Sequence, residues 1–156
     1  MATLLFDLLT PQEEAVDRST AQFRFDINLL SARVIAATRW TREHSLLRRL
    51  PLGYFGASTG AAAALVAAAA LPSEVCAIVS RGGRPDLAGE HLRDVRAPTL
   101  LIVGGADHVV VGLNRQASAM MDVERELVIV PRATHLFEEP GALEEVAVTR
   151  VVPTLP

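Results

Sequence analysis

The stretch Leu52-Gly53-Tyr54-Phe55-Gly56-Ala57-Ser58-Thr59-Gly60 decides how the rest of the chain reads. An apolar run follows Pro51 and ends in G-x-S-x-G, and an alanine-rich segment opens at Thr59. This predicts a strand over Leu52–Ala57, a tight turn at Ser58 and a helix over Thr59–Leu71. In that context G-x-S-x-G forms a nucleophile elbow. The turn forces its serine into a strained backbone conformation. Its flanks must be small because strand and helix nearly touch, and Gly56 and Gly60 meet that need. The helix amino terminus then turns backbone N–H groups toward an oxyanion formed at Ser58. The plainer alternative is a glycine-rich β–α turn whose serine caps a helix.

Outward from the elbow, short apolar runs alternate with helical patterns. Downstream, strands are expected over Glu74–Ser80, Thr99–Val103 and Glu126–Val130, with helices over Val109–Met121 and Gly141–Arg150. Upstream, Asp26 is a candidate N-cap for a helix with Ile27, Leu30, Val34 and Ala37 at three- and four-residue steps. Thr3–Leu9 reads as one more strand, stopped by Thr10-Pro11. The runs CAIVS and LLIVGG are apolar at successive positions, as in strands covered on both faces. The expected fold is α/β. It is one domain over residues 1–156, a mostly parallel sheet of about five strands flanked by helices. In such sheets chemistry gathers at the carboxyl ends of the strands.

Two residues there complete a nucleophilic set. Asp107 follows the Thr99 strand and His135 follows the Glu126 strand, giving the order Ser, Asp, His found on α/β-hydrolase scaffolds. A serine nucleophile needs a base, and the base needs an orienting acid. The competing readings are a helix N-cap for Asp107 and a solvated loop residue for His135. His108 neighbours the acid and would point elsewhere, and His44 and His91, which fall before the acid strand, read as surface residues. Arg81 and Arg84 lie on the loop after the Glu74 strand, where they could bind a substrate carboxylate or phosphate or simply be solvated. The short connection from Ser80 to Thr99 leaves no room for a large cap domain, which implies an open site and small substrates.

Composition narrows the classes. The 156 residues carry a formal charge of −3, which argues against a nucleic-acid partner. A single cysteine, Cys76, excludes an internal disulfide and suits a reducing, cytoplasmic setting; it reads as inert core. The four histidines are not spaced as a metal site, so neither metal nor cofactor is expected. The acidic residues Glu138, Glu139, Glu144 and Glu145 read as solvated charge near a helix start. The most apolar run, residues 61–71, is far short of the roughly 20 residues of a membrane span. The opening MATLLFDLLTPQEE has no basic region before its apolar patch, unlike a signal peptide.

The segments LGYFGASTGAAAAL, APTLLIVGGADHVV and ELVIVPRATHLFEEPGALEEV together resemble the α/β-hydrolase superfamily, particularly its dienelactone-hydrolase-like branch. The resemblance runs from Thr3 to Arg150. It implies Ser58 as nucleophile, Asp107 as acid, His135 as base and the N–H of Thr59 in the oxyanion hole. Dienelactone hydrolases use a cysteine where this chain has Ser58, which argues against dienelactone itself as substrate. Similar actinobacterial domains are at times fused to a phosphoribosyltransferase; no such domain is read here. The family's sheet is larger, and the strands here match its fourth to eighth. The third strand, and the loop after it that supplies a second oxyanion donor, are not found before Thr3. The expectation is therefore an N-terminally shortened hydrolase. Its Thr3 strand pairs with Leu52–Ala57, pairs with another chain, or leaves an edge through which copies associate.

The expected function is hydrolysis of small carboxylic esters or related acyl compounds through Ser58, Asp107 and His135. The alternative is a catalytically impaired remnant that serves as a binding or assembly module. A flavodoxin-like ligand domain is a weaker third reading, because GASTG is a poor phosphate loop.

Overall fold

Four parallel strands form the centre of the chain, as seen in a computed structural model that describes residues 2–148. They are β1 (Leu52–Ala57), β2 (Val75–Arg81), β3 (Thr99–Gly104) and β4 (Arg125–Val130). They lie side by side in sequence order, each parallel to the next. The helices are α1 (Pro11–Thr20), α2 (Ile27–Glu43), α3 (Thr59–Ala70), α4 (His108–Met120) and α5 (Ala142–Val148). A 3-10 segment, Pro85–Asp94, fills the connection from β2 to β3.

The sheet is covered on both faces, as its continuous apolar strands require. β3 is buried at every position. Its Leu100 and Ile102 pack with Val130, Phe137, Ala142 and Val146, beneath α5. Val103 packs with Val110 and Val111 of α4. A larger cluster joins Leu65 and Ala68 of α3, Ile78 of β2, Leu92 of the 3-10 segment and Met121 after α4. α2 closes over α3 through Leu30, Val34, Ala63 and Ala67. Its start matches the expected N-cap, since Asp26 accepts a hydrogen bond from the Leu29 N–H.

Three expectations change. The strand over Thr3–Leu9 does not form, so the sheet has four strands rather than about five. Residues 2–7 have no regular structure and are exposed, so this apolar run lacks the neighbouring strand that would satisfy its backbone. Thr10-Pro11 starts a helix here. The Thr10 hydroxyl accepts from the Glu13 N–H, Glu13 accepts from the Thr10 N–H, and Pro11 occupies the first turn. Arg33 of α2 clamps this segment by donating to both oxygens of Glu13, at 2.6 and 2.7 Å, and to the Leu8 carbonyl. Cys76 is exposed, not core: Val75 before it is buried, while Cys76 opens on a concavity beside Arg48 and Arg49. The last expected helix is seen as α5, and residues 149–150 of that expectation lie outside the described residues. Among the described residues, no helix is long and apolar enough to cross a membrane.

Candidate active site

Ser58 lies between the last residue of β1 and the first of α3, with φ +49° and ψ −125°. A non-glycine residue holds such a conformation only when its surroundings over-determine it. Here they do. A Cβ on Gly56 would fall 2.7 Å from the Ala61 Cα and from the Gly60 carbonyl oxygen, so strand and helix meet backbone to backbone. Gly60 differs from the expectation. A Cβ there would meet only a Leu8 methyl at 3.7 Å, an ordinary contact. The Ser58 side chain makes no capping bond to α3, so the plain capping role does not account for it. α3 starts at Thr59, and its first backbone N–H groups have no partner four residues back within the helix.

Asp107 and His135 meet at the same edge. Asp107 Oδ2 lies 2.9 Å from His135 Nδ1. Because a carboxylate can only accept, the contact calls for the proton on Nδ1, the tautomer whose neutral form presents Nε2 as an acceptor. The other oxygen, Asp107 Oδ1, accepts from the Val110 N–H at 3.2 Å and caps α4. The helix cap and the contact with the imidazole are thus made by different atoms of one side chain. The approach depends on Gly104, where a Cβ would sit 2.4 Å from the carbonyl oxygens of Ala133 and Thr134. The loop after β4 crosses the end of β3 at that point, tied by the Ala106 N–H to the Ala133 carbonyl at 2.9 Å. The imidazole of His135 is about one-third exposed and so reachable from solvent. Glu139 steadies the same loop by accepting from the Thr134 N–H. Its hydrogen bonds with Thr134 hold its carboxyl below the usual range.

Ser58 is half-buried, and its Oγ has no hydrogen bond among the described residues, to His135 or otherwise. What links the two segments is the loop after β2. The Arg84 N–H donates to the Ser58 carbonyl at 3.0 Å. A Cβ on Gly82, whose φ is +51°, would lie 2.9 Å from the His135 carbonyl oxygen.

The two arginines of that loop are engaged within the chain. Arg84 grips Asp86 through two hydrogen bonds of 2.7 and 2.8 Å. That pairing, helped by the charge of Asp107 and opposed by burial, holds its guanidinium above its ordinary range. Arg81 reaches the Leu136 carbonyl at 3.3 Å and stands 5.4 Å over the Phe137 ring. His44, His91 and His108 are exposed. Among the described residues, no three or more His, Cys, Asp or Glu side chains are grouped to hold a metal ion. A shallow concavity bounded by Arg48, Arg49, Glu74 and Cys76 lies at the amino ends of β1 and β2, away from Ser58. Residues invisible to motif reading are Gly82, Gly83 and Gly104, whose roles depend on chain crossings.

A parallel sheet, a strained serine at its carboxyl edge and helices on both faces define the α/β-hydrolase fold. Within that fold the chain is similar to dienelactone hydrolase. It matches the solved structure of dienelactone hydrolase from Anabaena variabilis with a TM-score of 0.86 and 56% identity, over 90% of this chain and 65% of that one. An α/β serine hydrolase homologue from Coxiella burnetii matches with a TM-score of 0.65 at 21% identity, over 78% of this chain and 56% of that one, which speaks to fold alone. No protein-family model matches the chain. A curated Mycobacterium tuberculosis protein, provisionally named a phosphoribosyl transferase, is 60% identical over 146 residues. The match covers 94% of this chain and 32% of that protein. The chain therefore spans about a third of the length of the curated relatives it matches.

Proposed function

We propose that the chain is a serine hydrolase of small carboxylic esters or related acyl compounds. The observation that carries this reading is the 2.9 Å Asp107–His135 contact, made at the sheet edge where Ser58 is held in a strained conformation. Ser58 Oγ attacks the substrate carbonyl while His135 Nε2 takes its proton. The tetrahedral oxyanion is met by the Thr59 N–H at the start of α3. Collapse expels the alcohol, which receives the proton from His135, and leaves an acyl group on Ser58. Water, deprotonated by His135, then releases the acid and restores the serine. Asp107 keeps Nδ1 protonated and aimed throughout.

Arg81 and Arg84 are the cations that a substrate carboxylate or phosphate would meet at the rim. Arg81 is the freer of the two, since Arg84 is committed to Asp86. The reading needs no metal or cofactor, and a chain with one thiol suits the cytoplasm. A nucleophile, base and acid set favours hydrolysis over the transferase name borne by the much longer mycobacterial relative. Fluorophosphonate labelling of wild type beside Ser58→Ala tests the proposal, because the probe reacts with an activated serine. Labelling of wild type alone is the expected result. A folded wild-type chain that takes no label refutes it.

One observation favours a second reading, a binding or assembly module without turnover. Among the described residues β1 has β2 as its single strand neighbour, its other edge is uncharged, and Phe55 on it is exposed. A second copy could pair there. Absence of labelling together with a concentration-dependent dimer would favour this reading.

A further inference from the structure

α4 enters the candidate site at two points. Its N-cap, Asp107, meets His135, and two turns further along the same face Asn114 is fully buried. Asn114 Nδ2 donates to the Gly83 carbonyl at 3.0 Å and to the Val110 carbonyl at 2.9 Å. Its Oδ1 finds no partner among the described residues. A leucine, with the same number of side-chain atoms, would remove the unpaired Oδ1 but would leave the buried Gly83 carbonyl without its side-chain donor, so hydrophobic filling does not explain the amide. What the amide does provide is a fixed Gly83 carbonyl.

Gly83 is the middle of a strap that touches both reacting segments. On one side, the Arg84 N–H holds the Ser58 carbonyl at 3.0 Å. On the other, Gly82 lies against the His135 backbone. Gly83 itself is wedged, since a Cβ there would fall 2.0 Å from the Ser80 hydroxyl and 2.7 Å from the Ala61 methyl. Ser80 is fully buried and its hydroxyl is unpartnered among the described residues, so it offers the strap no hydrogen bond. The long-range side-chain bond to the strap comes from Asn114.

We infer that Asn114 is a positioning residue: it pins the Gly83–Arg84 strap, and the strap holds the backbone of Ser58 in its strained form. The catalytic consequence rests on the reading of Ser58 as nucleophile; the mechanical claim does not. Both are tested with Asn114→Leu. Amide hydrogen exchange at Arg84 is the mechanical readout, and it should quicken by at least about tenfold while β3 amides stay protected. The catalytic readout is the rate of fluorophosphonate labelling, with kcat and KM on a p-nitrophenyl ester beside it. Labelling and kcat should fall about 10- to 100-fold with KM little changed, as for a misplaced reacting group. A merely structural role would lower the melting temperature and leave the rate per folded molecule unmoved.

Unchanged exchange at Arg84 overturns the inference, and so does lost protection with a wild-type labelling rate. If Asn114→Leu does not fold, Asn114→Ser, whose hydroxyl is too short to reach Gly83, takes its place with the same expectations. A wild-type chain that takes no label defeats the hydrolase reading by itself. The Arg84 exchange result then still decides whether Asn114 holds the strap.

Discussion

Alanine placed at Gly56 should damage the site, and alanine placed at Gly60 should not. The motif treats the two glycines alike, but their surroundings differ. A Cβ at position 56 meets backbone atoms on every side, at 2.7 Å from the Ala61 Cα and the Gly60 carbonyl oxygen and at 2.8 Å from the Ala61 nitrogen. Backbone cannot swing aside as a side chain can. Reaching an ordinary contact of 3.4 Å requires the start of α3 to withdraw by about 0.7 Å. Overpacking of this kind costs about 1–3 kcal/mol. For a chain of this length that is a fall of about 2–12 °C in melting temperature. The same displacement moves Ser58 and the Thr59 N–H, and an error near 1 Å at a reacting group costs up to about 100-fold in rate. At position 60 the new methyl would meet only Leu8 at 3.7 Å, inside the first turn of a helix. Alanine is favoured there over glycine by about 0.5–1 kcal/mol, so the melting temperature should hold or rise by a few degrees. Calorimetry and fluorophosphonate labelling of the two variants side by side provide the assay. Equal behaviour of the two, or a Gly56→Ala variant that melts and labels as wild type does, would refute the close-contact reasoning.

Other expectations follow from the same geometry. Ser58→Gly removes both the proposed nucleophile and the strain of a positive φ, so labelling should vanish while the melting temperature rises by about 2–4 °C, the equivalent of about 1 kcal/mol. Asp107→Asn keeps an equally good helix cap but loses the carboxylate on His135; thermal stability should be nearly unchanged while ester turnover drops by roughly 10⁴, as expected when the imidazole takes the wrong tautomer. Glu13 is held at about 2 by its hydrogen bonds to Arg33 and to the Thr10 N–H, against an ordinary value of 4.5. Its contribution to stability is therefore complete above pH 4.5 and is lost as the pH falls through about 2. An acid titration followed by circular dichroism should show a shallower loss across that window in Glu13→Gln than in wild type.

The parts of the molecule that could be read from residue order are those governed by local demands. The elbow was legible because a strand ending in G-x-S-x-G before an alanine run admits one tight turn, and Ser58 takes it. β3 was legible because its residues are apolar at successive positions, and Thr99–Gly104 is buried throughout. Asp107 and His135 were found by following each strand to its carboxyl end, and they stand 2.9 Å apart. Their distance could not be read, because it depends on Gly104 letting one loop cross another. Thr3–Leu9 misled because an apolar run becomes a strand only beside another strand. The signal that mattered lay in Thr10-Pro11-Gln12-Glu13, a capping box that starts α1. Cys76 misled because adjacent strand residues face opposite sides, and at this end of β2 the side of Val75 is covered while that of Cys76 is not. The strap at Gly82–Arg84 and the amide of Asn114 were beyond reach, since each works through contacts between distant segments.

α3 has no wet side: Ala61 through Ala68 are buried in succession, and all but Leu65 and Val66 are alanine. Alanine gives up no rotamer freedom when it is buried. Immobilising this helix therefore costs little beyond its backbone ordering, while its narrow profile lets β1, β2, α2 and the 3-10 segment all close against it. The strained residue at its head is thus moored to the element whose side chains resist ordering least. The same thinness removes tolerance, because a larger side chain within the buried run Ala61–Ala68 would push the sheet and α2 apart together. Replacements in that run should therefore unseat Ser58 even from its far end.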